Sequence, residues 1–391
     1  MAKVILAGDK HLKNPCLPRY SRHTLIHPKK FPFGRFPLEK IWSPMESLAS
    51  WQPISSNYQL IHSFNAIPYT KKPFFVTFEL FLPYMMSSQR NSRMALIIED
   101  FLKLQLSSDN CKKIIAISNW AKTRFINHLA NWPLLSKVIN KLEVIHPNFP
   151  VLAENPKNYT NGETLNLLFV GSHFARKGGI VALRLANKAH KMGIPIKINL
   201  ISQMKYGSQV PTDFPDITRY EEDLKLLNLP NIVFHRRMPN KEVLELLSQS
   251  HFQIMATLQD TYGFSVVEGF TVATPAITTN LCALPELVHH GKNGYLLQLP
   301  LNKYRQWSNW ADCSRIKTDE YWEILDSTYE DLADQALQLL GEFIERPDKS
   351  EHYEMLSAGA LVQAQNVHDS KKINNLLDNF YSEAIGEVVK I

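Results

Sequence analysis

An α/β architecture of two Rossmann-like domains, each a parallel sheet covered by helices, is predicted by three features of this sequence. At 391 residues the chain is long for a single hydrophobic core. Short apolar runs alternate with helical patterns, the signature of parallel strands buried on both faces. Between the two series, Asn148 to Gly162 gathers Pro150, Pro156, Asn158, Asn161 and Gly162 without periodicity, as a linker does. The expected boundaries are 1–160 for the first domain, 161–365 for the second and 366–391 for a last segment.

The elements follow in chain order. Lys3 to Ala7 is the first strand, leading into Gly8-Asp9-Lys10-His11. Leu167 to Val170 is a compact apolar run closed by Gly171, which reads as a buried parallel strand. Beyond a loop carrying Arg176 and Lys177, Ile180-Val181-Ala182-Leu183 opens a helix that runs through Ala189. Lys197 to Ile201 and Phe252 to Ala256 read as further strands. The run Val266 to Val272 predicts a short buried helix, and Pro275 before Ala276-Ile277-Thr278-Thr279 predicts a strand.

Two loops in this series carry chemistry. In the first, a strand, a glycine turn and the cations Arg176 and Lys177 at a helix start make a phosphate site. On this reading Lys177 stands in an exposed loop, where a solvated Arg-Lys pair is the plainer alternative. In the second, Asp260 precedes Gly263-Phe264-Ser265-Val266, and Glu268 follows eight residues after Asp260. Bare amides at the helix start suit phosphates, and the two acids suit sugar hydroxyls. Ser265-Val266-Val267-Glu268 also fits a capping box, which would make the glutamate a purely local cap. Neither G-x-G-x-x-G nor G-x-x-x-x-G-K-[ST] occurs.

Together the two loops resemble the retaining glycosyltransferases of the GT-B class, in particular glycosyltransferase family 4. Gly171, Lys177 and Gly178 match that family's glycine-arginine-…-lysine-glycine loop, and Asp260 with Glu268 matches its paired-glutamate motif, with Asp in the first place. The similarity extends from residue 59 to residue 300. It includes Gln59-Leu60-Ile61-His62-Ser63, Pro73 to Phe78, Ile114 to Ser118 and Leu142 to Asn148. In the second half it includes Asn231 to His235, Lys241 to Ser250, Pro285 to Val288 and Gly294 to Leu297. Ser172 departs from the pattern, standing where the family has a diphosphate-binding arginine; Cys282-Ala283 replaces a glycine pair.

The resemblance implies two domains facing a central cleft and a last helix near Lys371 to Val389 packing on the first domain. It implies transfer of a sugar from a nucleotide-diphosphate donor to the hydroxyl of a glycan, glycolipid or cell-surface polysaccharide precursor. Lys177, with Arg176, would stabilise the departing phosphates, and Asp260 would hold a sugar hydroxyl. Glu268 would bind ribose, Gly171 and Ser172 would line the phosphates, and amides of Gly263, Phe264, Ser265 and Val266 would donate to them. Backbone at Arg237 and Met238 would meet the base. No cofactor beyond the donor substrate is implied, and no metal: Asp-x-Asp occurs nowhere. A degenerate module that binds nucleotide or glycan without turnover remains an alternative, as do an epimerase and a phosphorylase of the same fold.

Composition sets further expectations. Cys16, Cys111, Cys282 and Cys313 are scattered, which suggests reduced thiols in a cytoplasmic compartment. The N-terminal apolar run is too short for a signal peptide, and no stretch approaches a membrane span. Residues 1–150 hold 20 Lys plus Arg against 8 Asp plus Glu, and the remainder 23 against 29. A basic first half implies an anionic partner, a phosphorylated acceptor or the inner face of an anionic membrane; no nucleic-acid module is visible. Phe31 to Pro37 and Phe81 to Met86 are the aromatic and apolar segments that would line an acceptor groove, touch a membrane or pack on the sheet. His62 and His146, beside strands, would face the cleft or be structural, while His289-His290 would be solvated.

Overall fold

The computed structural model describes residues 1–7, 14–27, 57–83, 93–207, 212–310 and 317–386. The Gly8 to His11 loop, Phe31 to Pro37, Tyr84 to Met86, Cys313 and Glu387 to Val389 lie outside the described residues. The chain forms two compact units, Met1–Pro150 with His368–Ile391, and Val151–Val367.

In the first unit, β1 (Lys3–Ala7), β2 (Thr24–Ile26), β3 (Leu60–Phe64), β4 (Phe74–Phe78), β5 (Cys111–Ala116) and β6 (Leu142–Val144) make a parallel sheet of order β2-β1-β3-β4-β5-β6. Its described helices are α1 (Arg93–Ser107), α2 (Asn119–His128), α3 (Leu135–Ile139) and, at the end of the chain, α11 (Ser370–Ile385). The last helix belongs to this unit because its apolar stripe has sheet residues to cover. Ile373, Leu377 and Tyr381 pack with Val4, Leu6, Leu60 and Phe75. Asp378 on the same helix accepts hydrogen bonds from Ser21 and from the Arg22 amide, which fixes the helix in place.

His62 is structural. It is fully buried in β3, between the Tyr381 hydroxyl and Thr77 Oγ1 (2.7 Å), and burial lowers its pKa to about 3. The ring is therefore neutral and held by both nitrogens. His146 lies with Nδ1 3.1 Å from the Ile117 carbonyl. Phe81 and Leu82 are buried, as sheet-packing residues are. Cys16 and Cys111 are buried here, as Cys282 is in the second unit.

The second unit contains β7 (Leu165–Val170), β8 (Ile196–Ile201), β9 (Ile232–His235), β10 (Phe252–Met255), β11 (Ala276–Thr279) and β12 (Gly294–Leu297), in the order β12-β11-β10-β7-β8-β9, all parallel. Leu167, Leu168 and Phe169 are fully buried, which explains the continuous apolar run. Its helices are α4 (Gly179–Lys191), α5 (Glu221–Lys225), α6 (Asn240–Gln249), α7 (Phe264–Thr271), α8 (Leu284–Leu287), α9 (Asp319–Glu345) and α10 (Lys349–Gln363). The chain crosses from β7 outward to β9, returns, and continues from β10 on the other side of β7. Strands β7 and β10 are neighbours whose helices leave in opposite senses, which makes them the switch point where α/β sheets bind ligands.

The segment entering this unit is fastened beside α7. The amides of Leu152 and Ala153 both donate to the Thr271 carbonyl (2.9 Å each). The partly buried Lys157 Nζ donates to the Leu247 carbonyl (2.8 Å), the Ser250 carbonyl (2.9 Å) and Thr274 Oγ1 (2.6 Å). It thus satisfies carbonyls at the end of α6 that would otherwise be orphaned.

Candidate active site

The loops after β7 and β10 meet at the switch point, and the contacts between them run through Arg176 and Lys177. The Arg176 carbonyl accepts from the Leu258 amide (3.0 Å) and Thr257 Oγ1 (3.0 Å), while Arg176 Nη1 donates to the Gln259 carbonyl (2.8 Å). Lys177 Nζ forms an ion pair with Asp260 Oδ2. Two glycines make this approach possible. A Cβ on Gly171 would stand 2.8 Å from the Lys177 Cβ, and one on Gly178 would stand 2.5 Å from the Ala256 carbonyl oxygen. Gly178 also has φ +95°, a conformation that disfavours other residues, and it is the N-cap of α4.

Asp260 is buried, and its other oxygen, Oδ1, accepts from the amides of Tyr262 (3.1 Å) and Gly263 (3.0 Å). Burial pushes its carboxyl up, but the Lys177 charge and hydrogen bond, the Tyr262 amide and Arg176 together hold it below the usual carboxylate range. With these three donors inside the protein, the carboxylate orients Lys177 and the turn before α7. The expectation of an exposed Lys177 is corrected: its side chain is 21% exposed, with its charge answered by a carboxylate that is 10% exposed.

The capping reading of Glu268 is overturned. Helix α7 starts at Phe264 with Gly263 as N-cap, so Ser265 is the second helical residue and caps nothing. Its hydroxyl points to Met255 Sδ (3.2 Å) instead. Glu268, half-buried on the fifth position of the helix, accepts from Asn240 Nδ2 (2.8 Å). That contact ties it to the start of α6, two residues beyond Met238. The Met238 side chain packs inward with Leu168, Ile201 and Val243, whereas Arg237 is exposed.

The expected amide donors narrow for the same reason. The Gly263 amide is used by Asp260, and the amide of the buried Val266 is used by the Gly263 carbonyl (2.9 Å). The Ser265 amide has no acceptor among the described residues, as befits a first-turn donor. Ser172 is exposed, its carbonyl bonded to the Lys205 amide (3.0 Å). Lys205, His173, Gln259 and Asn240 were not singled out by sequence. Only Lys205 had a signal to follow, a cation four residues beyond the apolar run of β8.

A surface cavity of about 350 Å³ opens at the other edge of this sheet, near Thr164, Lys197 and Asn231 at the amino ends of the strands. No comparable convergence of charged groups occurs there among the described residues.

Two six-stranded parallel sheets, the second with its charged loops at the switch point, define a GT-B architecture. Sucrose-phosphate synthase from Thermosynechococcus elongatus is similar over 98% of this chain and 89% of that one, with TM-score 0.58 and 16% identity. Alr3699/HepE from Anabaena, solved with UDP and glucose, is similar over 98% and 99%, with TM-score 0.55 and 13% identity. Residues 152–303 match the family of glycosyl transferases group 1. An uncharacterized glycosyltransferase of Methanocaldococcus jannaschii, MJ1178, is 24% identical over 249 residues, an alignment spanning 62% of this chain and 62% of that protein.

Proposed function

We propose that this chain transfers a glycosyl unit from a nucleoside-diphosphate sugar to an acceptor hydroxyl, with retention of anomeric configuration. The observation that carries this reading is the Lys177–Asp260 pair at the β7–β10 switch point, with Arg176 beside it. Departure of the nucleoside diphosphate places growing negative charge on its phosphates. A lysine already held by a buried carboxylate meets that charge without reorganising. Arg176 and the Ser265 amide add donors on the same side of the sheet. Glu268, steadied by Asn240, accepts from the ribose hydroxyls, and the Arg237 loop borders the base. Attack occurs on the face the diphosphate leaves, with a donor phosphate oxygen accepting the acceptor proton. The acceptor is a glycan, a glycolipid or another polysaccharide precursor held by the basic first unit, which also offers charge for an anionic membrane face.

A thermal-shift panel of nucleoside diphosphates and their sugars tests the reading, since a ligand that binds only the folded chain raises its stability. Uridine compounds head the panel because the similar Anabaena protein was solved with UDP. At least one compound should raise the melting temperature, and its sugar form should be turned over by purified protein. A panel without any shift would sink the donor site.

Glu268→Gln separates a ribose ligand from a structural residue. The amide can still accept from Asn240 but loses the charge that strengthens hydroxyl bonds. The variant should melt near wild type and bind the nucleoside diphosphate about tenfold more weakly, the scale of a charge-assisted hydrogen bond. Unchanged binding would remove Glu268 from the site.

A further inference from the structure

The loop after β8 is bonded to the phosphate loop along its backbone. Gly171 donates to the Ile201 carbonyl (3.0 Å), and Ser202 Oγ donates to the Gly171 carbonyl (2.7 Å). Ser202 Oγ also accepts from the Met204 amide (2.9 Å), which fixes Met204 in the left-handed region at φ 54°. Lys205 then bonds on both sides of His173. Its amide donates to the Ser172 carbonyl (3.0 Å), and its carbonyl accepts from the Phe174 amide (2.9 Å). A side chain anchored this way has a fixed origin beside the phosphate loop, although its tip is exposed.

The charges around that origin are unevenly answered. Lys177 has Asp260 as its counter-ion, whereas Arg176 has only the Gln259 carbonyl for Nη1, and Lys205 has no ion pair among the described residues. Arg176, Lys205 and Lys177 all bear on His173, whose pKa is lowered first by burial and then by these three cations. The imidazole between them is therefore neutral at neutral pH and adds no positive charge of its own. Two cations without a direct ion pair among the described residues stand beside one that has its own, in a loop that presents the short Ser172.

Resting on the donor-site reading above, we infer that Lys205 is a third phosphate-binding cation of this site, supplying from the β8 loop the charge that Ser172 does not. Its exposed tip gives it freedom to close on a bound diphosphate, and its backbone anchors start it beside the loop that would hold one. A lysine acts as a mobile point charge, so it needs position more than orientation.

Calorimetric titration of UDP, ADP, GDP and inorganic pyrophosphate into wild type, Lys205→Ala and Lys205→Arg tests this. For the nucleotide that wild type binds, and for pyrophosphate, the Ala variant should lose at least fivefold in affinity. Arg should recover most of that loss, and 1 M salt should shrink it, because an exposed charge is screened over a few ångströms there. The parent nucleoside should bind wild type and Lys205→Ala alike. Equal diphosphate affinity for wild type and the Ala variant would overturn the role of Lys205 while leaving the donor site standing. An equal loss for nucleoside and diphosphate would overturn it too, by showing general damage to the loop. Wild type that binds no nucleotide and no pyrophosphate would remove the donor site itself, and Lys205 with it.

Discussion

Lys177→Ala is expected to lower turnover by about two to three orders of magnitude, the scale for losing one group that stabilises transition-state charge. The loss should fall on kcat more than on KM, because the lysine meets charge that develops as the diphosphate departs. The variant should also melt earlier than wild type. Removing the ammonium leaves Asp260 buried with its nearest cation gone, and breaking a buried pair from one side costs about 3–5 kcal/mol. Lys177 is partly exposed, so water enters and a figure of about 1–3 kcal/mol is the better expectation. Lys177→Ala combined with Asp260→Asn should regain part of that stability without regaining turnover, because no unpaired carboxylate then remains. Full turnover in Lys177→Ala would exclude the phosphate role.

Asp260→Asn is expected to cost about 2–3 kcal/mol of stability, the scale of hydrogen bonds to a charged group. The Asn carbonyl can still accept from Tyr262 and Gly263, but its amide faces the Lys177 ammonium with no charge to offer. Turnover should fall at least tenfold, through misplacement of Lys177 and of the turn before α7. The pH dependence identifies the cause. The folded pKa of Asp260 is depressed, so its charge contributes stability above the unfolded value of about 4 and loses it as pH falls through the folded value. The gap in melting temperature between wild type and Asp260→Asn should be full near pH 7 and narrow below about pH 4. A gap that is constant down the whole acid range would show that the carboxylate charge is not what stabilises the loop.

Much of the second unit was legible along the chain. Strands β7, β8, β10 and β11 stood out as apolar runs because both faces of a parallel sheet are covered. The short α7 stood out because it is almost wholly buried. The loop after β7 was legible because glycines must stand where the backbone comes close: Gly171 against the Lys177 stem, Gly178 against Ala256. These are local requirements, and residue type records them.

Helix starts were less legible. The Ser265-Val266-Val267-Glu268 run satisfies a capping pattern, yet the helix begins one residue before it because Gly263 takes the left-handed turn. Once Asp260 receives the Gly263 amide, the cap position is set by that carboxylate and the serine becomes surplus to it.

By itself, then, the sequence determined two parallel-sheet units, the loops that carry charge and the family that its second half resembles. Which charges meet was decided only by the tertiary structure. Lys177 and Asp260 are 83 residues apart and touch because the crossover returns β10 to the side of β7. Asn240 reaches Glu268 across 28 residues, and Lys205 lies beside His173 through a backbone bridge between loops. The physical reason is common to all three. Strand order fixes which loops are neighbours, and it is chosen by burial summed over a whole sheet, which no short stretch of chain records.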